Sequence, residues 1–105
     1  MRRGEDILIL SVEQIASIVA HGDVLQVTTA TGERHALAYR LKDLETRLDP
    51  TRFPRLSRST IANVELIERV SPLPGGTYVV TLRNRQVLNV SRLRARALRD
   101  ELLRL

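Results

Sequence analysis

The sequence predicts a mostly β domain of about eight to ten short strands, with a short middle helix and a C-terminal helix. Three observations lead there. The first forty residues are rich in β-branched and aliphatic side chains and are broken by "HGD" at 21–23 and "TGE" at 31–33, both turn signals. A helical period appears in the middle of the chain only in "LKDLETRLDP", 41–50. The chain closes on "SRLRARALRDELLRL", a serine followed by helical spacing.

Taken in order, strands are expected near 6–10, 15–20, 24–29 and 34–38, the last two paired across the Gly32 turn. Leu41, Leu44 and Leu48 recur at helical spacing, and Asp49-Pro50 ends the run, so this short helix should pack its leucines on the sheet. Phe53 to Ser57 reads as a strand, Arg58-Ser59 as a turn, Thr60 to Ala62 as extended chain, and Leu66 to Val70 as another strand. "SPLPGG", 71–76, has loop composition. "TYVVTL" and "QVLNV" flank Arg83-Asn84-Arg85 as a hairpin. Ser91 caps a last helix running from Arg92 to about Arg104, with Leu93, Leu98, Leu102 and Leu105 on an apolar face and Arg92, Arg96 and Arg99 on another.

The chain has 105 residues, which suits one domain spanning 1–105 with a core that needs no staples. It contains no cysteine, so a disulfide frame and a cysteine metal site are both excluded. No apolar run approaches the roughly 20 residues that span a bilayer, and "ILILSV" is too short for a signal peptide. A cytoplasmic protein without membrane contact is expected.

Charge is unevenly divided. Residues 1–50 hold six basic residues and eight acids, a net of −2, whereas residues 51–105 hold eleven arginines and four acids, a net of +7. Basic charge gathered in one half points to an anionic partner. Sixteen arginines stand against one lysine, and the arginine fork suits phosphate and guanine.

Nothing points to an enzyme. His21 and His35 are the only side chains whose ordinary pKa suits a neutral-pH base. His35 sits in a strand as a solvated or half-buried side chain would, and His21 sits at a turn with Gly22 and Asp23, where turn chemistry and a binding role explain it equally. No phosphate-cradling glycine loop and no paired metal-ligand motif occurs, so no cofactor and no metal are expected. Scattered serines without a placed base make no triad. What remains is a set of arginines at element ends: Arg58 in its turn, Arg83 and Arg85 at the hairpin tip, and Arg92 behind Ser91. Each alone reads as an exposed surface charge; Arg58 could pair with Glu65 or Glu68. Together, where acids are scarce, they fit anion binding, because loops on a rigid scaffold commonly carry recognition and a helix start aims free N–H groups at anions.

"RFPRLSRSTIANVELIERV" followed by "YVVTLRNRQVLNVSRLRARALRDEL" resembles the LytTR family of bacterial DNA-binding domains. The family core, Arg-x-His-Arg-Ser ending in Asn, corresponds to Arg55 through Asn63, and the family ending to Tyr78 through Arg92. "HGDVLQVTTATGERHAL" and "LKDLETRLDPTRF" fit in order, so the likeness covers about residues 7–103. Two positions depart: Ser57 stands where the family has histidine, and Asn84-Arg85 stands where it has Asp-Gly or similar.

The resemblance implies an elongated fold of three small antiparallel sheets, about ten short strands, that reads duplex DNA through loops. It implies that His21, Gly22, Asp23, Arg58, Ser59, Ser91 and Arg92 face the DNA, with Arg58 in a groove and Ser59 on phosphate. Charge adds Arg55, Arg83, Arg85, Arg94 and Arg96 as phosphate contacts, with Arg34 and Arg40 of the first half contributing much less. The implied role is the output domain of a transcription regulator. Repeated half-sites, bent DNA, a dimer on the DNA and a receiver or sensor segment upstream belong to that expectation. The competing reading is an interaction module whose basic face binds an acidic partner protein.

Overall fold

A computed structural model describes residues 2–3, 6–7 and 11–102. Its strands are β1 (Arg2–Arg3), β2 (Asp6–Ile7), β3 (Ile15–His21), β4 (Val24–Thr29), β5 (Arg34–Leu37), β6 (Arg55–Ser57), β7 (Thr60–Ala62), β8 (Ile67–Pro72), β9 (Tyr78–Leu82) and β10 (Val87–Val90). Helix α1 (Leu41–Glu45) lies between β5 and β6, and α2 (Arg92–Leu102) follows β10.

Eight strands form two antiparallel sheets, one of five strands ordered β5-β4-β3-β7-β6 and one of three ordered β10-β9-β8. The mostly β class with two helices therefore holds. The expected detail of three small sheets differs slightly: among the described residues, what lies beyond these two is a two-residue ladder, β1 against β2. The strand expected near 6–10 is described only as β2, and residues 8–10 lie outside the described residues, as does the end of the last helix beyond Leu102. The molecule is elongated, 46 × 24 × 22 Å.

The five-stranded sheet separates two apolar clusters. Ile18, Leu25, Val27, Leu41, Phe53 and Ile61 pack on one face, with Leu44 and Leu48 beside them. Ala16, Leu56, Ala62, Val80, Leu82, Val90, Ala95 and Leu98 pack on the other, against the second sheet and α2. Strict alternation would send Ala16 and Ile18 to the same face. They part because the β3–β4 register shifts between Ile15 and Ser17; a bulge inserts one residue and reverses which face follows. Ser17 then donates its hydroxyl to Gln86 Oε1 at 2.9 Å, joining the two sheets.

Local chemistry explains two differences from the expected elements. The middle helix is one turn, Leu41–Glu45, and the chain continues to Leu48 through further turns. On α2, Leu98 is buried but Leu93 is 82% exposed. Ala95 takes the inward position, since Ala95 and Leu98 are three residues apart and share a face that Leu93 does not.

Candidate nucleic-acid interface

At one end of β3 and β4 the chain turns through His21, Gly22 and Asp23, all exposed, with Gly22 at φ 61°. That left-handed conformation costs glycine nothing and would strain any other residue. The Arg58-Ser59 turn is fastened beside it, because the Ala20 N–H donates to the Ser59 carbonyl at 2.8 Å. Ser57, where the family has histidine, braces the same turn: its Oγ accepts the Ser59 N–H at 3.3 Å. The Arg58 side chain is exposed and forms no ion pair among the described residues, because Glu65 is bonded instead to Arg52 at 3.5 Å.

Arg55 behaves differently from the expected phosphate contact. Its side chain is only 13% exposed. Nε donates to Glu45 Oε2 at 3.0 Å, and Nη1 donates to the Arg58 carbonyl at 2.6 Å. The guanidinium thus ties the end of α1 to the Arg58 turn. Arg55 holds the turn in place rather than offering a free charge.

Ser91 caps α2, accepting the Arg94 N–H at Oγ, 3.2 Å away, and the Ala95 N–H at its carbonyl. The Ser91 N–H donates to the Leu56 carbonyl at 2.8 Å, which sets the helix start beside β6, two residues before Arg58. The Arg92 guanidinium lies over the next loop: a Cβ placed on Gly75 would stand 3.8 Å from it. Arg94 and Arg96 are exposed. Arg94 lines a hollow with Glu45 and Arg55, whereas Arg96 lines another with Gly76, Tyr78 and Arg92.

The hairpin tip is elsewhere. Asn84 Nδ2 donates to the Thr29 carbonyl at 3.0 Å, at the opposite end of β4 from Val24 and the His21–Asp23 turn. At about 3.4 Å per residue, Arg83 and Arg85 are displaced by roughly 17 Å along that strand. The twelve expected residues therefore do not share one edge. The turns holding His21, Gly22, Asp23, Arg58 and Ser59 adjoin one another, Ser91 and Arg92 flank them, and Arg83 and Arg85 stand at the far end.

Arg85 also takes φ 75°, the one non-glycine positive φ among the described residues. The turn keeps the conformation that glycine prefers, and arginine adopts it at a cost. Asn84 and Gln86 hold it there, the Gln86 N–H donating to Asn84 Oδ1 at 3.0 Å.

Several residues have roles that only the fold reveals. Asn63 is almost fully buried; its Nδ2 donates to the Ile15 carbonyl at 2.9 Å and its Oδ1 accepts the Glu65 N–H at 3.0 Å. It pins the entry to β3 against the turn before β8. Arg52 bridges Glu13 at 3.9 Å and Glu65 at 3.5 Å. His35 is buried on β5, and its Nε2 has no partner among the described residues. Arg40 and Lys42 line a cleft of about 540 Å³ together with Gly22, Asp23, Tyr39 and Arg58. Only spacing across the folded chain brings them there.

The sequence profile of the LytTr DNA-binding domain matches residues 5–103. The chain belongs to the LytTR family. Among solved structures, the LytTr DNA-binding domain of a protein described as a methyl-accepting/DNA response regulator from Bacillus cereus superposes with a TM-score of 0.86. It is 22% identical, and the match covers 99% of this chain and 94% of that one, a likeness of fold. No curated protein matches the chain. LytTR domains are DNA-binding modules, and this one has, among the described residues, no helix able to cross a membrane.

Proposed function

We propose that this LytTR domain binds specific duplex DNA as the output domain of a bacterial transcription regulator, reading bases from the end that carries the His21–Asp23 and Arg58–Ser59 turns. The observation that carries this reading is Arg58: exposed, without an ion pair among the described residues, and fixed through its own carbonyl by Arg55. A positioned arginine can bond two guanine acceptors in the major groove, worth about 1–3 kcal/mol of discrimination. The capped start of α2 adds backbone N–H groups and the Arg92 charge on the adjoining edge.

Cations at both ends of β4 support bending of the DNA. A duplex contacted by the Arg58 end and also by Arg83 and Arg85 would take contacts roughly 17 Å apart along the strand, which bending toward the protein would bring within reach together. Bending by tens of degrees costs on the order of 1–6 kcal/mol and is offset by the added contacts. Repeated half-sites bound by two copies, with a receiver or sensor segment controlling them, complete the proposed role.

Selection from a random duplex pool tests it. The expected result is an enriched repeated motif, with circularly permuted fragments of that site migrating differently in complex. Weak retention of all duplexes alike would overturn sequence-specific binding and favour an acidic protein partner.

A further inference from the structure

The cleft between the Gly22-Asp23 turn and the Arg58 turn is closed on its third side by residues 38–42 of the acidic first half of the chain. Arg40 and Lys42, like Arg58, are exposed there, and none of the three forms an ion pair among the described residues. The fourth cation of the cleft, Arg55, is neutralised by Glu45 at 3.0 Å. Asp23 is the one carboxylate lining it. Three unpaired positive charges thus face one negative charge, and two of the three, Arg40 and Lys42, come from residues 1–50, which are net negative. Charges of like sign gathered without partners repel one another, and an anion that enters relieves that repulsion.

We infer that Arg40 and Lys42 form a second phosphate-contact site for duplex DNA, beside Arg58 and contributed by the half of the chain whose charge is otherwise unfavourable. This rests on the DNA-binding reading above and extends its footprint across the cleft. The chemistry fits a backbone phosphate rather than a small free anion. The cleft is open, and its cations are exposed side chains rather than buried donors converging on a point. Long cationic stems around an open surface suit a polyanion that passes over them. The local structure also keeps these charges in place. The Arg40 carbonyl accepts the Asp43 and Leu44 N–H groups at 3.1 and 3.0 Å, and buried Leu41 anchors the segment in the core. Tyr39, on the cleft wall, is flanked on its ring face by Arg47 at 5.9 Å.

The test is the salt dependence of affinity of the whole chain for its selected duplex. Each lost phosphate contact flattens the slope of log affinity against log salt by about 0.9. Arg40→Ala with Lys42→Ala is expected to flatten it by between one and two, with the preferred bases unchanged, because phosphate contacts position without specifying. Arg34→Ala is the control: it removes an exposed charge from the same half, but at the β5 end opposite Thr28, away from the cleft. It should leave the slope unchanged. Arg40→Lys with Lys42→Arg should keep the wild-type slope, which separates lost charge from lost fold. If Arg58→Ala weakens binding while the Arg40 and Lys42 pair leaves the slope intact, this inference fails and the DNA-binding reading stands. If inorganic phosphate at constant ionic strength displaces the duplex from wild type but not from the pair variant, the cleft is a small-anion site and the inference is overturned. If the wild-type chain retains no duplex at all, both fall together.

Discussion

Replacing Arg55 separates a structural clamp from a phosphate contact. Its guanidinium joins Glu45 at 3.0 Å and the Arg58 carbonyl at 2.6 Å, and its side chain is only 13% exposed. A hydrogen bond from a charged donor contributes about 1.5–3 kcal/mol when little exposed. Glu45 is 38% exposed, which puts that partner at the low end. Arg55→Ala should therefore destabilise the domain by about 2–3 kcal/mol. For a domain of this size each kcal/mol shifts Tm by about 4 °C, so a fall of about 8–12 °C is expected in a melt followed by circular dichroism. Glu45→Gln sharpens the test. Removing a carboxylate near the DNA face should strengthen binding if charge alone matters. If Arg55 must be held to fix the Arg58 turn, specific affinity should fall while non-specific affinity holds or rises. The reasoning is refuted if Arg55→Ala leaves Tm unmoved and flattens the salt slope by about 0.9, the signature of a free phosphate contact.

Arg58→Ala and Arg92→Ala should each weaken specific binding by about 1–3 kcal/mol and relax preference at one base position in a selection, while Tm moves by no more than exposed charges allow, about 0–1 kcal/mol. Asn63→Ala should cost about 2–4 kcal/mol in denaturant unfolding, because it strips the Ile15 carbonyl and the Glu65 N–H of their partners at once. Arg85→Gly should stabilise the hairpin by about 0.5–1 kcal/mol, the relief at φ 75° less the entropy of glycine, and should flatten the salt slope if the side chain meets phosphate. Asp49 is held below its ordinary pKa by hydrogen bonds from the Thr51 hydroxyl and N–H, with Arg52 adding attraction. Its contribution is therefore complete above the ordinary carboxylate pKa, near about pH 4, and is lost as pH falls through the lower folded value. Asp49→Asn should remove that part of the acid limb in a pH series of melts and leave neutral-pH binding unchanged.

Much of this molecule was written in local pattern. The turns at 21–23 and 31–33, the strands they join, the serine that starts α2 and the unequal division of charge all follow from a few neighbouring residues, because backbone preference and capping act over short distances. Ordered motifs, from Arg55 to Asn63 and from Tyr78 to Arg92, sufficed to name the family that the profile over 5–103 establishes. Tertiary structure decided the rest. A bulge at the start of β3 sends Ala16 and Ile18 to different cores, which an alternating pattern does not reveal. Arg55 and Arg58 look alike as letters, yet one is half-buried against Glu45 and the other is exposed. Arg83 and Arg58 sit in the same basic half but at opposite ends of the five-stranded sheet, because Asn84 is bonded to Thr29. Arg40 and Lys42, in the acidic half, stand across a cleft from Arg58. Charge summed along a chain records how many cations there are; an electrostatic site depends on the distances between them, and those are set only when strands distant in sequence pair.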